Sequence, residues 1–267
     1  MTTQKKLISI VGLTASGKSS VGIKLAQLFG GEIISSDSRQ VYKGLDIGSN
    51  KVTAEEQAAA PHHMLDVVKP MENFDVFTFQ QMAYNLIDEI HARGKIPIIV
   101  GGTGLYSRAV IEGYDFKTRE NRDKPRNDPN KKTPNTTPPR TTLGPDWQVL
   151  QIALMPPKEW LQSTIVDRID ARIEQGMITE TEKLLKDGVS ADWLKSLGLD
   201  YLLSTQHVLG ELNLQEYKDL HAIRSMQFAK RQRTWFSREK NTIFLTNPDT
   251  FLEDSIRHAT EFLNTSN

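Results

Sequence analysis

The chain has 267 residues, of which 33 are basic and 33 acidic, so its formal net charge is zero. That balance argues against a protein that holds nucleic acid by global charge; any basic surface must be local. There is no cysteine, which excludes disulfides, thiol catalysis and cysteine-based zinc sites and fits a reducing cytosol.

Residues 1–6 lead straight into an apolar strand at residues 7–11, with no signal-like segment and no long apolar run. A soluble, cytoplasmic protein without membrane partners is expected. The strand runs into Gly12-Leu-Thr-Ala-Ser-Gly-Lys-Ser19, a G-x-x-x-x-G-K-S pattern that opens a helix over residues 18–29. This order of strand, glycine-rich loop and helix is what a phosphate cradle needs. The backbone N–H groups of Gly12, Thr14, Ala15, Ser16 and Gly17 can curl around phosphate oxygens. Lys18 adds a positive charge, and the Ser19 hydroxyl can sit on Mg²⁺. The helix contributes its positive N-terminal end. The loop announces a polyphosphate without saying whether that phosphate is attacked or leaves.

A second strand is predicted at residues 32–36, ending at Asp37, and a third at 64–68. Residues 76–93 have helical periodicity, with Phe79, Met82, Ala83, Leu86, Ile87 and Ile90 on one face, and Gly94 ends the helix. Residues 96–100 are continuously apolar and read as a central strand. Strands alternating with helices predict an α/β fold, a P-loop NTPase-like parallel sheet flanked by helices. Ligands then bind beyond the carboxyl ends of the strands, where Gly12, Asp37 and Gly101 all fall.

The Asp37 carboxylate would face the phosphate loop there and could hold Mg²⁺ or take a proton, although an Asp opening a loop is also an ordinary turn residue. Gly101-Gly-Thr-Gly-Leu-Tyr106 permits close backbone approach, and Thr103 can donate to an anionic oxygen. His62 and His63 could be a metal pair. Adjacent strand residues point to opposite faces, however, which favours a hydrogen-bonding role.

Composition changes at Gly113. Residues 117–140 are nearly free of apolar side chains and carry eight basic and three acidic residues, a net of +5. Half of the 12 prolines lie between Pro125 and Pro145. Such a stretch cannot bury a core, so a disordered linker is expected at 113–147, between a P-loop core at 1–112 and a remainder at 148–267. It is either a solvated linker or a basic arm for nucleic acid. The remainder returns with a strand at 148–155 and becomes mostly helical, over 160–175, 179–186 and 215–238. A last strand at 241–245 and a helix at 249–263 follow. Residues 218–240 hold seven basic and two acidic residues. Arg224, Arg231 and Arg238 recur every seven residues, near one helical face. That face is either simply solvated or binds pyrophosphate or RNA backbone.

Taken in order, these blocks resemble the tRNA dimethylallyltransferase family. The matching pieces are the phosphate loop, Asp37-Ser-Arg-Gln-Val-Tyr42, Asp46-Ile-Gly48, His62-His63 with Leu65-Asp66, Gly101-Gly-Thr-Gly-Leu-Tyr106, Arg168-Ile-Asp-Ala-Arg172 and Ala229-Lys-Arg-Gln-Arg-Thr-Trp-Phe236. The resemblance spans nearly the whole chain outside residues 113–147. It implies transfer of a dimethylallyl group from its diphosphate to N6 of an adenine beside the tRNA anticodon, with pyrophosphate leaving. By the same resemblance Asp37 is the general base and Thr103 sits at the donor's bridging oxygen. Lys230 and Arg231 join the phosphate loop in holding diphosphate. Ser38, Gln40, Gly102 and Gln232 contact tRNA. Mg²⁺ is the cofactor, with Ser19 as its ligand. The implied partners are tRNA and dimethylallyl diphosphate, with the protein a monomer.

Three departures stand out. The family's helical insertion after the Gly-Thr-Gly block is replaced by the polar, Pro-rich stretch. The family's Thr-Arg before the Lys-Arg-Gln block is Ser225-Met226, which removes an arginine expected at the diphosphate. Its Gly-Tyr-Lys/Arg is Gly198-Leu-Asp200. Transfer to free adenine nucleotide, a P-loop kinase and a catalytically weak tRNA-binding descendant are the competing readings.

Overall fold

The computed structural model describes residues 4–116 and 140–265. Six strands form one parallel sheet: β1 (Lys5–Gly12), β2 (Gly31–Ser35), β3 (His62–His63), β4 (Ile96–Val100), β5 (Trp147–Leu154) and β6 (Thr242–Leu245), in the order β3-β2-β4-β1-β5-β6. β1 lies between β4 and β5, with Ile10 opposite Val100 and Gly12 opposite Leu154. Successive residues of β1 face opposite sides of the sheet. Ile8 and Ile10 pack with α1 (Lys18–Phe29) and a C-terminal helix. Leu7 packs with α3 (Val76–Ala92) on the other face. α2 (Ala54–Ala59) begins in a capping box between Thr53 and Glu56. α4 (Gly104–Arg108) continues into a wider turn to Gly113.

The C-terminal half is helical: α5 (Lys158–Glu174), α6 (Met177–Lys186), α7 (Ala191–Ser196), α8 (Leu199–Val208), α9 (Leu214–Phe236) and α10 (Phe251–Asn264). Helices α5, α8 and α9 pack on the carboxyl end of β1 and β5. Val11, Leu13 and Ala153 meet Leu161, Ile165, Leu203 and Phe236 there. The sheet's ligand-binding edge therefore looks into a wall of helices.

The expected α/β architecture with a helical second half is the one observed. The third strand differs: β3 is His62–His63, and the predicted residues 64–68 follow it. Met64 and Asp66 have φ of 66° and 54°, left-handed conformations that no strand accommodates. Val68 makes a parallel bridge to Tyr42, outside the strands of the sheet, and Met64 packs into the core with Ile34 and Ile99. The shorter helices α2, α7 and α8 were not predicted.

Residues 117–139, which hold nearly all of the polar, Pro-rich stretch, lie outside the described residues. Its flanks are placed. Leu143 and Trp147 are buried against α3, and the Arg140 guanidinium lies 4.8 Å from the Tyr84 ring centroid.

Candidate active site

A cavity of about 910 Å³ lies between the carboxyl edge of the sheet and the helical wall. Its sheet side is the phosphate loop. Gly12 has φ +139°, and a Cβ there would come within 2.3 Å of the Leu154 carbonyl oxygen, so only glycine fits this turn. Ala15 and Gly17 are also left-handed, at φ 59° and 81°, which curls the loop toward the N-terminus of α1. Ser16 is buried and its hydroxyl has no protein partner among the described residues. The Lys18 ammonium donates to the Leu13 carbonyl at 2.6 Å. Burial, and then the charge of Arg168, hold its pKa down to about 7, with Asp37 pulling the other way.

Asp37 follows β2 and lines the same cavity. It accepts the Arg39 backbone N–H at 2.8 Å, so it is at once a turn residue and a carboxylate facing the site. Arg39 is turned toward Leu197, whose carbonyl accepts from its Nε, and toward the Ser38 hydroxyl. Ser38 itself is not part of the cavity lining. Gln40 lines the cavity but both ends of its amide are engaged. It accepts from the Ser35 hydroxyl at 2.7 Å and donates to the Asn50 carbonyl at 2.9 Å. The wall beyond, residues 46–50, is clamped from α6. The Glu180 carboxylate accepts the N–H groups of Asp46, Ile47 and Gly48 and the Tyr201 hydroxyl, all within 3.1 Å.

Gly101, Gly102 and Thr103 continue the edge after β4. A Cβ on Gly101 would come within 2.2 Å of the Ser36 hydroxyl oxygen, which explains this glycine by the close approach of the neighbouring loop. Thr103 precedes α4 without a side-chain capping bond, so its hydroxyl is not spent on the helix end. Gln232 on α9 ties two loops together. It accepts the Thr14 N–H at 2.7 Å and donates to the Gly102 carbonyl at 3.0 Å.

On α9 the cavity face carries Arg224, Ser225, Phe228, Arg231 and Gln232. Arg231 stacks on Phe228, 5.7 Å from the ring centroid. Lys230 and Met226 do not face the cavity. Lys230 is exposed, and Met226 packs against the apolar cluster beneath the helix. Residues 224, 228 and 231 share a stripe at helical spacing, and 226 and 230 lie on another. Lys230, expected beside the diphosphate, therefore does not line the cavity, and Arg224, not Met226, does.

Sequence reasoning singled out the Arg168–Arg172 block and Asp200 but gave them no role in the deeper part of the helical wall. Arg168 and Arg172 on α5 line the cavity, as does Asp200 at the start of α8. The Asp200 carboxylate accepts from Arg172 Nη1 and lies 3.2 Å from His221 Nε2, and the Ser225 hydroxyl is 3.3 Å from His221 Nδ1. Burial alone would raise the Asp200 pKa. The charge of Arg172 and the His221 hydrogen bond overcome this and hold the carboxyl well below its usual range. The two arginines sit one turn apart, beside the buried Leu161, Ile165 and Ile169. A basic pair beside an apolar stripe was the available signal.

His62 and His63 have separate partners, the Ala60 carbonyl at 2.8 Å and the Glu32 carboxylate at 2.7 Å. Among the described residues no three His, Cys, Asp or Glu side chains gather as a metal cluster. No helix among the described residues is long and apolar enough to cross a membrane.

The IPP transferase sequence profile matches residues 40–137 and 124–239. The chain is 37% identical to tRNA dimethylallyltransferase 2 of Shewanella sediminis, over 87% of this chain and 89% of that protein. It is also 37% identical to tRNA dimethylallyltransferase of Lactococcus lactis subsp. lactis, over 97% of this chain and 99% of that protein. Its fold matches the crystal structure of the full-length tRNA isopentenylpyrophosphate transferase from Bacillus halodurans with a TM-score of 0.79 and 31% identity, covering 97% of this chain and 96% of that one. A eukaryotic dimethylallyltransferase acting on tRNA superposes with a TM-score of 0.78 at 25% identity, covering 97% of this chain and 79% of that one.

Proposed function

The chain belongs to the IPP transferase family of tRNA dimethylallyltransferases, and from that premise we propose that it prenylates N6 of an adenine in a tRNA anticodon loop. The donor is dimethylallyl diphosphate and pyrophosphate leaves. One observation carries the reading: the phosphate loop, Asp37 and Thr103 converge on one cavity, and Gln232 locks two of their loops together.

The chemistry follows from the residues. The donor's diphosphate lies in the curled N–H groups of the loop against Lys18. The N6 lone pair attacks C1 of the prenyl group, the C1–O bond breaks, and its electrons leave on pyrophosphate. The N6 proton passes to Asp37, the carboxylate at the sheet edge. Charge building on the leaving oxygen is met by Lys18 and by the Thr103 hydroxyl. The Ser19 hydroxyl lines the cavity and would hold Mg²⁺ together with diphosphate oxygens, an all-oxygen set that suits this ion. When bound, Mg²⁺ supplies further neutralisation of the diphosphate. Such an enzyme works as a monomer in the cytoplasm, where its tRNA is.

Gln40 and Gln232 have their amide groups committed to the scaffold, so their part in tRNA recognition is to hold the walls. Phe228, Arg224 and Arg231 are the exposed or half-buried groups on the α9 side that a nucleotide entering the cavity would meet.

Labelled dimethylallyl diphosphate incubated with bulk tRNA, AMP and ATP tests the reading. Label is expected on N6 of adenosine in tRNA. Label on free nucleotide alone, or on nothing, overturns it.

A further inference from the structure

The helical wall facing the phosphate loop is not electrically balanced. Arg168 and Arg172 are one turn apart on α5 and reach the same side. Arg172 is buried and donates to Asp200, and His221 lies at the same carboxylate oxygen. Asp200 is therefore taken twice. Arg168 has no hydrogen bond or ion pair of its own among the described residues, and its Nε is buried without a partner. It nevertheless lines the cavity together with Lys18.

A guanidinium cannot shed its proton near neutral pH; Asp200 acts on this one only through space, its carboxylate being bonded to Arg172 and His221, and a guanidinium without a hydrogen-bonded partner is costly to bury. Its planar fork matches a pair of phosphate oxygens. We propose that Arg168 is a ligand of the donor's diphosphate, gripping it from the helical wall opposite the phosphate loop. The proposal rests on the reading of this cavity as a diphosphate site. Arg172 is less available for that role because Asp200 already holds it.

The state of Lys18 agrees. The Arg168 charge helps to hold the Lys18 ammonium at about 7, so the empty site keeps two cations in mutual repulsion. Asp37, from the loop after β2, is the carboxylate that opposes this repulsion, and Arg224 and Arg231 on α9 add further positive charge to the lining. A diphosphate between the two cations relieves it.

The test uses the full chain, inorganic pyrophosphate as probe, and two variants, Arg168→Met and Arg168→Gln. Melting temperature is measured with and without saturating pyrophosphate, and affinity by calorimetry. Removing a half-buried guanidinium that has no hydrogen-bonded partner should raise the melting temperature of the empty protein, by about 2–4 °C for Arg168→Met. The same variant should bind pyrophosphate about 10–100-fold more weakly. An arginine with a merely structural role would lower the empty protein's melting temperature and leave affinity alone. Unchanged affinity in folded variants, or failure of both variants to fold, overturns the proposal. If the wild type transfers the prenyl group while the variants bind pyrophosphate as it does, only the Arg168 assignment falls. If the wild type neither binds pyrophosphate nor transfers a prenyl group, the diphosphate reading falls with it.

Discussion

The phosphate-loop side of the cavity presents mostly backbone, and the facing helical side presents charged side chains. On the first side, shape is set by sterics: Gly12 sits where a Cβ would strike the Leu154 carbonyl, and Gly101 where one would strike Ser36. On the second side, shape is set by charge balance among Arg168, Arg172, Asp200 and His221. A backbone wall is indifferent to pH and intolerant of added atoms. A side-chain wall accepts substitution but shifts its energetics with every proton.

The largest effect should come from the residue whose role is chemical. Asp37→Asn should slow single-turnover prenyl transfer by about 10²–10⁴ while pyrophosphate binding is largely kept. Unchanged turnover would remove the base assignment.

Steric intolerance is sharpest at Gly12. Gly12→Ala should lose about 3 kcal/mol or more in urea unfolding, because a backbone oxygen cannot move aside. Gly17 offers the control: it is left-handed with no atom within 4 Å of an added Cβ. Gly17→Ala should therefore cost only about 1 kcal/mol. Equal losses at the two sites would contradict the account of the loop.

Lys18 belongs to the loop but feels the helical wall. An ammonium with a pKa lowered on folding opposes folding in full below about pH 7. The opposition fades as pH rises toward the ordinary 10.5. The empty protein should gain stability over that window. Lys18→Met should flatten this slope, stabilise the empty protein at pH 7 by about 1–3 kcal/mol and weaken pyrophosphate binding. Urea unfolding across a pH series measures both the slope and the offset. A steeper slope in the variant would reverse the sign of the argument.

The smallest effect is expected at Met226. The comparison of motifs suggests that Met226→Arg would restore a missing cation. The structure packs this side chain on the apolar cluster under α9, away from the cavity. Prenyl transfer should change by less than about twofold. A large gain would mean that α9 is rotated in the working enzyme.

The same division explains what the sequence made legible. The phosphate loop, Asp37 and the Gly-Thr-Gly turn are local patterns following strands, so spacing alone locates them. The third strand was misplaced because left-handed φ at Met64 and Asp66 leaves no mark in apolar patterning. Arg172 and Asp200 are 28 residues apart and meet only because α5, α8 and α9 pack together, which no window of sequence reports. On α9 the sequence already contained the answer in the seven-residue spacing of Arg224 and Arg231. The Lys-Arg-Gln block drew attention to Lys230, whose side chain lies off that stripe.

The seam at the two ends of the polar stretch has an evolutionary consequence. An added Cβ on Gly113 would lie 2.3 Å from the Thr141 carbonyl, so the outgoing and returning chains touch. Tyr84 donates to the carbonyls of Val110 and Thr141, both at 3.2 Å, while Gln80 holds the Tyr114 carbonyl and Gln81 the Arg140 carbonyl. One helix thus staples exit to re-entry. A gene can lengthen, shorten or exchange what is encoded between those staples without re-solving the packing of the sheet. Such a socket lets the recognition end of an enzyme diversify while its chemistry is inherited intact.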